Sequence, residues 1–167
     1  MFGAMFSDMQ SKCTAFAALI CVLVLAAYPA RSTLPDIYPD PSQAPAEIEV
    51  ALKTAAVSHK RIILDFGGNW CADCHVLDYF FHDATNRVLL ETNYILVHIN
   101  IGHMDANVDI ASRYGVPLSR GVPALAVLDS HGKLLYSQKK GEFEAMRGMQ
   151  RAAVTDFLDR WKATPAH

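Results

Sequence analysis

A chain of 167 residues is long enough for one domain with a packed core. With 51% hydrophobic and 19% charged residues it is not a disordered chain, and a formal net charge of −2 argues against a nucleic-acid surface.

The first feature along the chain is an uncharged apolar run, residues 14–28, "TAFAALICVLVLAAY". It falls short of the roughly 20 residues that a helix needs to cross a bilayer. Lys12 precedes it, and small residues with a proline follow, so residues 1–30 read as an export signal cut between positions 26 and 30. The alternative is an uncleaved anchor, which would be the chain's one contact with a membrane. Asp8 offsets Lys12, and Ile20 before Cys21 does not make a lipobox. Export, to the periplasm, is therefore expected, either free or anchored and facing that compartment. Two of the four cysteines, Cys13 and Cys21, lie in this leader. Its removal leaves Cys71 and Cys74, too few for a disulfide scaffold.

Residues 31–45 are rich in proline and are expected to be an extended linker, with a domain over 46–167. Residues 46–60 carry Ile48, Leu52, Ala55 and Ala56 on one helical face. "RIILDFGG" follows, a nearly continuous apolar run ended by Gly67 and Gly68, as in a central strand buried on both sides. A helix is expected from Cys71, carrying Val76, Leu77, Phe80 and Phe81, with a second helical piece at 86–91. Tyr94–Asn100 is the next strand, 105–114 a helix, "VPALAVLD" a strand, and "KLLYSQ" its hairpin partner across the turn "DSHGK". Residues 151–162 close the chain as a helix with Val154, Phe157, Leu158 and Trp161 on one face. The fold class is α/β. The alternating units imply parallel strands, the late hairpin makes the sheet mixed, and helices cover both faces.

The chemistry sits in "NWCADCH", residues 69–75. A cysteine at a helix N-terminus meets unpaired backbone N–H groups and the positive end of the helix dipole, which favour thiolate. A second cysteine three residues on lies one turn inward. One thiol can then attack and the other resolve. The same letters also match c-type haem attachment, Cys71 and Cys74 as tethers and His75 as ligand, with Met104, Met146 or Met149 opposite. A third possibility is zinc or copper(I) handling by the two cysteines with His75, His82 or His103.

The surroundings favour the dithiol. Asp65 stands six residues before Cys71 inside an apolar strand, Trp70 directly precedes the pair, and "YGVP" and "GVPAL" lead into a later strand. With the "DSHGKLLY" hairpin, these motifs resemble the thioredoxin superfamily over roughly 46–162, and most of all exported bacterial thioredoxin-like thiol:disulfide interchange proteins. The resemblance implies a thioredoxin-like fold and thiol:disulfide oxidoreductase activity with no cofactor or metal beyond the Cys71–Cys74 pair. It implies Cys71 as nucleophile, Cys74 as resolving thiol, and Asp65 as the buried acid that moves a proton to or from Cys74. Pro123 matches the cis-proline facing the disulfide, so that Val122 and Trp70 would contact an extended substrate. The implied partners are protein thiols and disulfides, and a separate membrane-bound electron donor.

Two departures concern redox tuning. Ala72 and Asp73 stand between the cysteines in place of the commoner Gly-Pro, and the Asp73 charge is expected to disfavour the Cys71 thiolate and so favour a reducing pair. His98 stands where many thioredoxins carry a lysine near the buried acid, and it could pair with Asp65. Residues 118–120 lengthen the loop before Pro123 and could border the site.

Overall fold

The computed structural model describes residues 34–163, so the leader expected over 1–30 lies outside the described residues. Among the described residues no helix is long and apolar enough to cross a membrane. The elements are α1 (Ala44–Ser58), β1 (Arg61–Gly67), α2 (Ala72–Phe81), α3 (Ala84–Asn93), β2 (Tyr94–Asn100), α4 (Val108–Arg113), β3 (Ala124–Leu128), β4 (Leu134–Ser137) and α5 (Arg151–Trp161).

The strands form one sheet in the order β2-β1-β3-β4. β1 and β2 are parallel, as the alternation implied. β3 runs antiparallel to β1, and β4 antiparallel to β3. The reversal arises because the segment after β2 stays at the end where β1 and β2 finish. There Ala124 pairs with Phe66, so Pro123 arrives beside the residues that follow β1.

Side chains alternate across the sheet and build two cores. Ile62, Leu64 and Phe66 of β1 and Ala124, Ala126 and Leu128 of β3 face α1 and α4. Ile63, Leu125 and Val127 face the other way, onto Leu77 and Phe81 of α2, Leu90 of α3 and Val154, Phe157 and Leu158 of α5. Asp65 shares the parity of Ile63, so it lies on the α2 face.

Two expectations need correction. The helix expected over 105–114 shrinks to Val108–Arg113. The Ile101 carbonyl accepts the N–H groups of Met104, Asp105 and Ala106, and Met104 and Asn107 take positive φ angles, which fold 102–107 into turns instead. The proline-rich stretch is not a free linker where it is described. Pro35 onward belongs to the same compact unit as the domain, α1 starts at Ala44 rather than 46, and Tyr38 is 2% exposed. Prolines remove donors but not acceptors, and the chain here is fixed by side chains reaching it. Asn100 donates to the Pro39 carbonyl at 2.7 Å and Asn107 to that of Pro41 at 2.9 Å.

Candidate active site

Cys71 is the N-cap of α2 and Cys74 lies in its first turn, the two joined by a disulfide. The N–H of Cys74 points at the Cys71 sulfur at 3.1 Å, the cap geometry expected from the spacing. Cys71 is 6% exposed and Cys74 fully buried. The Val122–Pro123 bond is cis, and the Val122 carbonyl oxygen is 3.7 Å from Cys71 Sγ. Gln138, one residue past β4, braces this corner. It donates to the Pro123 carbonyl at 3.1 Å and accepts the Leu125 N–H at 3.2 Å.

Asp65 is fully buried, and the tyrosine that bonds it, Tyr38, also packs with the two cysteines. Asp65 Oδ2 accepts the Tyr38 hydroxyl at 2.8 Å and lies 2.9 Å from His98 Nδ1. The second contact follows from register, since Asp65 and His98 are paired positions of β1 and β2 on one face of the sheet. Burial is the largest influence on His98 and pulls its pKa down. The hydrogen bond and charge of Asp65, helped by Asp78 and Glu47, outweigh it, and the pKa ends above the ordinary histidine value. Because the folded state holds this proton more tightly, its stabilisation is complete below about pH 6.5, the unfolded value. It is lost as pH rises through the raised folded value. The melting temperature should fall across that rise, and the fall should shrink in His98→Asn; an identical slope in the variant would exclude the pair as its cause.

Tyr38 comes from the proline-rich arm and was not anticipated. Its ring packs with both cysteines, flanked by Ile37 and Val122. Asn69 fastens the arm, its side-chain oxygen accepting the N–H groups of Ile37 and Tyr38 at 2.9 and 2.8 Å while its amide donates to the Tyr38 carbonyl at 2.9 Å. Gly67 makes room for the arrangement. A methyl group on its Cα would come within 2.6 Å of Tyr38 Cζ and 2.8 Å of Cys74 Sγ.

The residues between and before the cysteines point outward. Trp70 is 48% exposed, donates to the Gly102 carbonyl at 2.6 Å and stacks on His103. Ala72 is exposed in the first turn of α2. Asp73 is held by Arg147, whose backbone N–H lies 2.8 Å from Oδ1 and whose Nε and Nη2 each lie 3.1 Å from Oδ2. Burial alone would raise the Asp73 pKa, but these Arg147 contacts hold it below the usual carboxylate range. The Asp73 charge expected to act on Cys71 is therefore present and paired with the Arg147 guanidinium. In the loop before Pro123, Leu118 turns into the core while Ser119 and Arg120 are exposed.

Haem attachment does not fit this arrangement. The two sulfurs are bonded to each other, His75 Nε2 is 2.9 Å from the Asn69 carbonyl oxygen, and Met146 is fully buried in the core. Among the described residues no three His, Cys, Asp or Glu side chains come together as a metal-binding group.

A mixed sheet with helices on both faces, carrying a Cys-x-x-Cys disulfide at a helix N-terminus opposite a cis-proline, defines a disulfide-exchange protein of the thioredoxin class. Residues 43–130, more than half of the chain, match the family described as thioredoxin-like. A disulphide isomerase from Xylella fastidiosa is 33% identical with a TM-score of 0.70, over 78% of this chain and 98% of that one. The thiol:disulfide interchange protein DsbD of Pseudomonas fluorescens is 26% identical over 125 residues, 73% of this chain. The match spans only 19% of that relative's length. The chain belongs to the thioredoxin-like family and is a thiol:disulfide oxidoreductase.

Proposed function

We propose that the protein works outside the cytoplasm as a reductant of disulfides in exported proteins. The observation that carries the reading is the asymmetry of the pair. Cys71 keeps a little exposure beside the Val122 carbonyl, while Cys74 has none. In the reduced protein the Cys71 thiolate attacks a substrate disulfide and forms a mixed disulfide. Cys74, deprotonated with help from Asp65, then attacks Cys71 and frees the reduced substrate. Trp70, Val122 and Pro123 border the Cys71 side, where an extended substrate segment would lie. The dithiol is restored by a separate membrane-bound electron donor. Exchange on disulfides is what the names of both relatives state, and export is the reading of the leader.

The reducing direction rests on burial rather than on Asp73. Ile37, Tyr38 and Val122 put an apolar cover over the cysteines. Such a cover penalises a charged thiolate more than a neutral disulfide, so it favours the oxidised pair and lowers the potential. Equilibration with glutathione buffers tests this. A potential near −270 mV, as in thioredoxin, is expected, and one near −120 mV would make the protein an oxidant.

Asp73 and Arg147 then act as a fine adjustment. Arg147→Ala leaves the Asp73 charge uncompensated in the first turn of α2, disfavours the thiolate and should lower the potential. Asp73→Asn leaves the Arg147 cation and should raise it. Each shift is expected at about 20 mV or less, the scale of an exposed ion pair. Shifts of the same sign in both variants would refute a charge effect.

A further inference from the structure

Asp65 has no direct route to water. Its side chain is fully buried, Tyr38 and His98 share its Oδ2, and its Oδ1 has no hydrogen-bond partner. A base in such a place accepts a proton once, and must pass it on before it can act again. Two side chains contact it by hydrogen bond. Tyr38 cannot serve as the exit, because burial first, and then the charge and hydrogen bond of Asp65, push its pKa well above the ordinary phenol value. It holds its proton and donates.

His98 differs. Its side chain is 17% exposed and lines a groove of about 890 Å³ between α1 and β2, whose walls include Glu47, Val50 and Thr54. Nδ1 meets Asp65, while Nε2 lies 3.6 Å from Oδ1 of Asp78 on α2. Asp78 is 22% exposed and pairs in turn with His82 at 3.2 Å. The charged and titratable groups facing the ring are Asp65 from β1, Asp78 from α2, Glu47 from α1 and the edge-on Tyr38 ring. All are acids or a neutral phenol, so a transient imidazolium is tolerated here.

We propose that His98 is a positioning residue for catalysis, the outlet that carries the proton taken by Asp65 to solvent. The proposal rests on the reading of Asp65 as the base for Cys74. In the mixed disulfide the Cys74 sulfur bonds to Cys71 Sγ, and the bond from Cys71 to the substrate sulfur breaks. The electron pair leaves with the substrate thiolate, which takes a proton from water. The substrate disulfide is thereby reduced and the protein dithiol oxidised. With His98 starting neutral and its proton on Nε2, the proton of Cys74 goes to Asp65, then to Nδ1 of His98, and Nε2 releases a proton past Asp78 to solvent. No further oxidant or reductant enters this step.

The test follows single turnovers of the reduced full chain with a small symmetric aromatic disulfide, quenched in acid and read by mass after alkylation. His98→Ala should form the mixed disulfide at the wild-type rate but resolve it about a hundredfold more slowly, the lower end of the range of general acid–base effects. Added imidazole, small enough for the groove, should restore resolution in proportion to its free base. His98→Asn, which keeps a hydrogen-bond donor but carries no proton near neutrality, should be equally slow. Wild-type resolution in either variant, or a slow His98→Ala that imidazole does not rescue, would overturn the outlet. Asp65→Asn separates the two readings. Fast resolution there removes Asp65 as base and the outlet with it, whereas slow resolution beside a fast His98→Ala removes the outlet alone.

Discussion

Replacing Cys74 with alanine should turn the protein into a trap. Cys71 retains access at the Val122 corner, so it should still attack substrate disulfides, and nothing would then release them. Turnover falls to background while mixed disulfides accumulate, visible as reductant-sensitive adducts on non-reducing gels and by mass. Cys71→Ala should also abolish turnover, but without adducts. The remaining thiol, Cys74, is fully buried under Tyr38 and the first turn of α2, and a substrate disulfide has no path to it. Two equally inactive variants with opposite trapping behaviour are the expected result. Equal trapping by both, or by neither, would refute the division of roles between the two sulfurs.

What the sequence revealed of this site is what short-range pattern controls. β2 falls at Tyr94–Asn100 as the apolar run indicates, and Cys71 caps α2 because a Cys-x-x-Cys pair before an amphipathic run has the form of a helix start. The neighbourhood of Asp65 and His98 was also accessible, since both lie inside recognisable strands of one sheet. The partners that come from afar were not. Arg147 sits in a single 3-10 turn, Met146–Gly148, 74 residues from Asp73, and nothing local marks it as the partner that compensates that charge. Gln138 looks like the polar end of a hairpin strand, yet it is 2% exposed and braces Pro123. The arm misled for a different reason. Proline density signals that a segment is neither helix nor strand, and says nothing about whether other side chains pin it. The one available hint was composition. "LPDIYP" places an isoleucine and a tyrosine among the prolines, more apolar surface than a solvated spacer needs.

That arm is where the largest loss of stability is expected. Tyr38→Ala removes a buried aromatic ring, at a cost of about 3–5 kcal/mol for truncations of this kind. It also strips Asp65 of one of its two hydrogen bonds and opens the apolar cover over both sulfurs. Tyr38→Phe separates these effects. It keeps the ring against the cysteines but leaves Oδ2 with His98 alone, so its cost should be about 0.5–1.5 kcal/mol, the range for one lost hydrogen bond. Denaturant unfolding of the oxidised protein measures both. The redox consequence should follow the ring rather than the hydroxyl. Once the cover is gone, water reaches Cys71, the thiolate is solvated, and the potential should rise in Tyr38→Ala more than in Tyr38→Phe. If the two variants shift the potential equally, the hydroxyl and its bond to Asp65 set the redox balance, and the apolar cover does not. If neither shifts it, the arm stabilises the fold without tuning the disulfide.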